Sequence, residues 1–138
     1  MIKETTMRQF VIAIALACSA FQARASDWVD IGGRSTSGVR FEIDRSSIKQ
    51  QSGAVWKAWV KTIEPLDDER PKVEAQVLFE INCNEDTSRV LTSVSYVNGK
   101  VSNTPKNQAA QMTPIPPDSV LWVIRDRVCI KAPATRQQ

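Results

Sequence analysis

The sequence contains no histidine and only three cysteines among its 138 residues. Without histidine, a Ser-His-Asp or Cys-His catalytic centre, a histidine metal site and the usual general base near neutral pH are all excluded. The sequence also lacks a phosphate-binding P-loop, a dinucleotide-binding glycine motif and a calcium-binding loop. These absences predict a protein without catalytic activity, cofactor or metal.

Residues 1–25 have the organisation of a secretory signal peptide. Arg8 supplies a positive charge, residues 10–17 form an apolar run, and Ala23-Arg24-Ala25 is a small-x-small cleavage site before Ser26. The run is shorter than the roughly 20 apolar residues that a membrane span requires, so we expect no transmembrane segment. We predict export and a mature chain that starts at Ser26, in the periplasm or on the outer surface of a bacterium.

Lipid attachment at Cys18 is the competing interpretation of this leader. Cys18 follows Ala15-Leu16-Ala17, which loosely resembles a lipoprotein box. Such boxes usually carry leucine three residues before the cysteine, where this sequence has Ala15. The apolar stretch also continues toward the better Ala-x-Ala site, so ordinary cleavage is favoured.

Removal of the signal peptide lowers the net charge from +3 to +1, because it takes away three basic residues and a single acid. The basic pI of about 8.9 is thus largely a property of the signal peptide. Binding to nucleic acid, which requires a clustered basic excess, is not expected. The remaining length suits one domain over residues 26–131, followed by a flexible tail over residues 132–138.

Two cysteines, Cys83 and Cys129, remain after cleavage. An even number of cysteines in an exported protein predicts a disulfide. The bond closes a loop of about 47 residues and contributes roughly 4 kcal/mol in the chain-entropy description. The alternatives are weaker, since two cysteines without histidine cannot complete a zinc site. A catalytic thiol would need a positive or basic partner, and none is apparent.

Alternation of apolar and polar residues predicts an antiparallel sheet. From Val73 to Cys83 every second residue is apolar, and Leu78 alone interrupts the polar set. Cys83 has the apolar parity, so its sulfur should point toward the core. Asn98-Gly99 predicts a hairpin turn. Further strands are expected at residues 28–31 (ended by Gly32-Gly33), 39–43, 55–63 and 89–97, with a turn or short helical start at residues 44–47.

The C-terminal part of the domain predicts a helix after a long polar connection over residues 104–118. Ser119 can cap the helix, and Leu121, Ile124 and Val128 recur at helical spacing. The β-branched run over residues 120–124 is also compatible with a strand. We favour the helix because of its cap and its charged last turn.

The mature chain resembles the bacterial surface-adhesin protein E family, whose segments it carries in order. They are Trp28-Val29-Asp30-Ile31, the block from Phe41 to Ile48, Trp59-Val60-Lys61, the block from Phe79 to Leu91, and Ile115 to Cys129. The family pattern often has aspartate and glycine where this chain has Asn82 and Asp118. The resemblance implies an α+β fold, in which about six antiparallel strands carry a C-terminal helix packed on one face and tied to the sheet by the disulfide.

The resemblance also implies a function. It implies an envelope or cell-surface protein that binds host extracellular-matrix or serum proteins. The leading hypothesis is therefore an exported, non-catalytic module with a protein partner. The alternative is a periplasmic housekeeping or inhibitor-like protein with no adhesive role, and a small hydrolase that uses carboxylates ranks third.

The strand over residues 55–63 carries the candidate protein-binding face. Lys57, Trp59 and Lys61 share one parity, and the lysines favour the outer side of the sheet for this set. An exposed tryptophan flanked by cations suits the centre of a protein interface, including that of a homodimer. The alternative is that Trp59 merely packs under the lysine stems, whose charged ends stay in water.

Two other charged groups are candidate binding sites. Arg34, Arg40 and Arg45 lie near the second strand and could contact an acidic partner. The acidic run over residues 67–69 could attract a cation. Both patterns are more typical of a solvated surface.

Overall fold

The computed structural model describes residues 25–65, 70–103 and 111–130. Residues 1–24 of the predicted signal peptide, the acidic run at 67–69 and the predicted tail at 132–138 lie outside them. The elements are β1 (Trp28–Arg34), β2 (Arg40–Asp44), a 3-10 turn (Arg45–Ser47), β3 (Lys49–Ser52), β4 (Val55–Ile63), β5 (Val73–Asn82), β6 (Thr87–Val97), β7 (Lys100–Asn103), β8 (Thr113–Pro114) and the helix α1 (Val120–Cys129).

The strands form one antiparallel sheet in the order β1-β2-β4-β5-β6-β7, with β3 paired to β4 and β8 paired to β6. The expected antiparallel sheet with a C-terminal helix is confirmed. The expected count of about six strands agrees with the six strands of the continuous path, and the short strands β3 and β8 bring the total among the described residues to eight. Strand β3 is entirely polar and exposed, and β8 has two residues. Neither strand produces the alternation by which a half-buried strand is recognised.

Strand β1 is longer than expected. The sequence predicted its end at Gly32-Gly33, whereas the strand continues through both glycines to Arg34 with an irregular register after Asp30. Gly32 has φ +77°, and its N–H donates to Asp30 Oδ1 at 2.6 Å. A positive φ at this point is accessible to glycine without steric cost, so the glycines distort the strand without ending it.

Strands β4 and β5 form the centre of the sheet and explain the period-2 pattern. In their continuous register Trp56 lies opposite Ile81, and Ala58 lies opposite Phe79. Directly paired residues point to the same side of a sheet, so these four side chains share the core face. The core consists of nine buried apolar residues: Ile31, Ile43, Trp56, Ala58, Val60, Ile81, Ile115, Ile124 and Val128.

Helix α1 packs on this core face, which resolves the choice between helix and strand over residues 120–124. The side chain of Ser119 accepts a hydrogen bond from the Trp122 N–H and caps the helix. Ile124 and Val128, four residues apart, are fully buried against the sheet. The cap satisfies one of the free N–H groups of the first turn, and burial of the apolar stripe supplies the packing energy.

Two further contacts connect the C-terminal half of α1 to the sheet. Cys83 and Cys129 form the expected disulfide, with their Cα atoms 5.7 Å apart. Arg125 donates to Asp86 Oδ1 at 2.7 Å, in the turn between β5 and β6. The covalent bond and the ion pair therefore connect the C-terminal half of the helix to the chain just after β5.

Candidate functional site

The predicted residues of β4 lie on the side of the sheet opposite the core, which we call the outer sheet face. Trp56, Ala58 and Val60 are buried, so the alternate residues Lys57, Trp59 and Lys61 point away from the core. Their direct neighbours on β5 are, in the same order, Glu80, Leu78 and Gln76. The three candidate residues therefore lie in a row along β4, on the same side of the sheet.

Trp59 and Leu78 form an apolar pair at the middle of the outer sheet face. They lie directly opposite each other on β4 and β5, and both are half-buried. The next neighbour of Leu78, on β6, is Thr92. Leu78 is the residue that interrupts the alternation of β5. Its apolar side chain lies on the outer sheet face and is not part of the core.

Lys61 contacts an aromatic ring, but the ring is that of Trp28. The Lys61 ammonium lies 4.3 Å from the centre of the Trp28 ring and 3.2 Å from Glu42 Oε2. Its side chain is only 14% exposed, so both contacts form in a partly desolvated environment. Trp28 is a functional candidate that the sequence pattern did not identify, because it comes from β1, two strands away.

Lys57 belongs to a second charged group on the same face. Glu80 is buried between Arg89, which donates to its Oε1 at 2.8 Å, and Lys57, whose Nζ lies 4.0 Å from its Oε2. The two cationic neighbours compensate the Glu80 side chain for the water that it loses on burial. The flanking lysines of Trp59 are therefore both engaged in ion pairs. The sequence predicted a tryptophan between cations on this face. The outer sheet face presents an apolar pair, and the lysines on either side of Trp59 are paired with carboxylates.

Asp44 fixes the position of β1 next to the start of the outer sheet face. Its Oδ1 accepts hydrogen bonds from the Asp27 N–H at 2.9 Å and from the Ser46 N–H and hydroxyl at 2.9 and 2.6 Å. Burial of the carboxyl raises its pKa. The hydrogen bonds from Ser46 and from nearby backbone N–H groups outweigh that effect, so the pKa of Asp44 lies below its ordinary value. The charged form of Asp44 thus binds the backbone of Asp27, the residue before Trp28.

The other charged candidates are the three arginines near β2, of which Arg40 is directly paired with Ile63 and so lies on the same side of the sheet as Lys61. Arg45 pairs with Asp27 at 2.9 Å, and both side chains are about half exposed. Arg40 is exposed opposite Ile63 at the start of β2. The backbone of Arg34 ends β1, and its side chain lies outside the described part of the chain.

A small cavity lies between the end of α1 and the strands β1 and β2. Its volume is about 210 Å³, and aliphatic side chains such as Ile31, Ile43 and Ile48 line it together with Arg45 and Arg127. This volume is below the roughly 300–1,000 Å³ of ordinary ligand sites. Within residues 25–65, 70–103 and 111–130, no cluster of acidic or cysteine side chains is suited to hold a metal ion.

Comparison with known proteins shows the family of this chain. The sequence profile described as surface-adhesin protein E matches residues 28–130, from the start of β1 to the residue after α1. No curated protein and no solved structure shows a significant match to the chain. Among the described residues, no helix has the length and apolar character needed to cross a membrane.

Proposed function

Because the chain belongs to the surface-adhesin protein E family, we propose that it is an exported, non-catalytic module that binds a protein partner at the bacterial surface. We further propose a host matrix or serum protein as that partner, which is what the resemblance to surface adhesins implies. The observation that carries the proposal is the apolar pair Trp59–Leu78 on a sheet face over which the described part of the chain places no helix.

The proposed interface is organised around this pair. Aromatic residues at the centre of an interface provide most of the binding energy, while a surrounding ring of polar contacts excludes water. Here the ring consists of the ion pairs Lys61–Glu42 and Arg89–Glu80–Lys57. Since these charges already have partners within the chain, the bound protein need not be strongly charged. Affinity should depend on Trp59 more than on either lysine.

The direct test is binding of the mature protein, residues 26–138, to a panel of immobilised matrix and serum proteins. Trp59→Ala should weaken binding of any recognised protein by about 2 kcal/mol or more. Ile130→Ala is the matched control, because Ile130 is 79% exposed at the other side of the molecule, after α1. Equal binding by wild type and Trp59→Ala would show that the partner does not bind through the outer sheet face.

The second copy of the chain is the competing occupant of the same face. Sedimentation of wild type and Trp59→Ala distinguishes the two, since a dimer held by this face should dissociate in the variant. Fractionation of cells addresses location separately. Recovery of the protein only from the periplasm, together with no binding to the panel, would contradict the adhesive role and favour the housekeeping alternative.

A further inference from the structure

The turn between β6 and β7 has the backbone of a type I′ hairpin. Asn98 has φ +49° and Gly99 has φ +76°, and both residues are exposed. Positive φ at both central positions is the defining property of this turn and accounts for the Asn-Gly sequence. A side chain at Gly99 would meet no atom within 4 Å, so the space around this residue is open.

The side chain of Asn98 continues the sheet beyond the last backbone pair of β5 and β6. The Asn98 N–H donates to the Lys72 carbonyl at 2.9 Å, and the Lys72 N–H donates to Asn98 Oδ1 at 3.0 Å. The side-chain carbonyl of Asn98 thus takes the place of a backbone carbonyl, one position after the pair Val73–Val97. The pairing of the β6–β7 turn with the start of β5 therefore depends on the Asn98 amide.

From this arrangement we propose that Asn98 is a site of spontaneous deamidation that controls the attachment of β7. The backbone nitrogen of Gly99 attacks Cγ of Asn98, a C–N bond forms, and the side-chain amide nitrogen leaves as ammonia with the proton from Gly99. The product is a cyclic succinimide. Water then opens the ring at either carbonyl, which gives aspartate or isoaspartate at position 98 without any oxidant or other reactant.

Two features of the structure favour reaction at this residue. Glycine leaves its nitrogen sterically open to the attack, because it has no Cβ. The Lys72 N–H already bonds the oxygen on which negative charge develops, as donors do in an oxyanion hole. Of the five asparagines in the sequence, Asn98 is the only one followed by glycine.

The two products have different consequences for the sheet. Aspartate keeps the oxygen that accepts from Lys72 and adds one negative charge near Lys72 and Lys100. In isoaspartate the main chain runs through the side-chain carbon, so the turn is longer. The geometry of this turn sets the register of β6 and β7. All four residues of β7 are exposed, so little packing would hold this strand in place once its register is lost. Conversion to isoaspartate should therefore release β7 from the edge of the sheet.

The test is storage of the folded, disulfide-bonded mature protein for two weeks in mildly alkaline buffer at body temperature, followed by tryptic mapping. The peptide over residues 90–100 should lose its asparagine form and yield both products. Asn84, which is also exposed but precedes glutamate, should stay unchanged in the same digest. Conversion in a denatured sample with none in the folded one would show that the hairpin protects Asn98, and would overturn the proposal.

The effect on β7 needs a separate measurement. The stored protein is fractionated by charge and by isoaspartate content, and each fraction is treated briefly with trypsin. Cleavage after Lys100 should be faster in the isoaspartate fraction than in the unmodified protein, while Asn98→Asp should resemble the unmodified protein. Equal resistance of the isoaspartate fraction would contradict the release of β7.

Discussion

Removal of the Cys83–Cys129 disulfide should cost about 4 kcal/mol of unfolding free energy. The bond joins residues 46 apart in sequence. Closing a loop of this length lowers the entropy of the unfolded chain by an amount worth about 4 kcal/mol at room temperature in the chain-entropy description. That is a large part of the roughly 5–15 kcal/mol that stabilises a typical domain.

Non-covalent contacts should nevertheless keep α1 on the sheet at neutral pH. Ile124 and Val128 are buried in the core, and Arg125 bonds Asp86 at 2.7 Å. The double variant Cys83→Ala/Cys129→Ala should therefore fold, with a lower urea midpoint and a larger m-value because its unfolded state is more expanded.

Urea unfolding followed by tryptophan fluorescence measures this loss directly. The wild type in reductant serves as the control, because it has the same connectivity as the double variant without the change in side chains. The two should agree to within about 1 kcal/mol, the usual effect of small changes in packing. A loss below about 1 kcal/mol in both would refute the entropic reasoning.

Three further predictions concern single residues. Trp56→Ala should cost about 3–5 kcal/mol in urea unfolding because the side chain is buried, whereas Trp59→Ala should cost much less. Asp118 has φ +61°, a left-handed conformation that costs a residue with a side chain about 1–2 kcal/mol. Asp118→Gly should raise stability by about 0.5 kcal/mol, because relief of this strain exceeds the entropy cost of glycine. Hydrogen bonds lower the pKa of Asp44 below its ordinary 3.8, so its stabilisation is complete above that pH and is lost as the pH falls through the lowered pKa. Asp44→Asn should therefore flatten the acid limb of the stability curve, and an unchanged limb would show that Asp44 does not control it.

The balanced charges of the outer sheet face change what a binding experiment should show. A face with free cations would bind acidic proteins with a strong dependence on salt. Here Lys61 pairs with Glu42, and Lys57 and Arg89 pair with Glu80. Binding through Trp59 should consequently respond weakly to ionic strength, which provides a check that needs no variant.

Much of the fold follows from local sequence. The alternation over residues 55–63 determines that Trp56 is buried and that Trp59 faces outward, because successive side chains of a strand point to opposite sides. The pair Cys83 and Cys129 is determined by elimination once the leader is assigned. Ser119 and the spacing of Ile124 and Val128 determine the helix, since both its cap and its buried stripe are local features.

Which residues lie together in the candidate site depends on the tertiary structure. Trp28 under Lys61, Leu78 beside Trp59, and Glu80 between Lys57 and Arg89 are contacts between different strands. Period-2 alternation specifies the face of a residue but not its cross-strand neighbour, because the neighbour depends on strand order and register. The same reason explains why the sequence does not predict the polar strand β3 or the short strand β8. Their residues become strands only because β4 and β6 offer hydrogen-bonding edges at those positions.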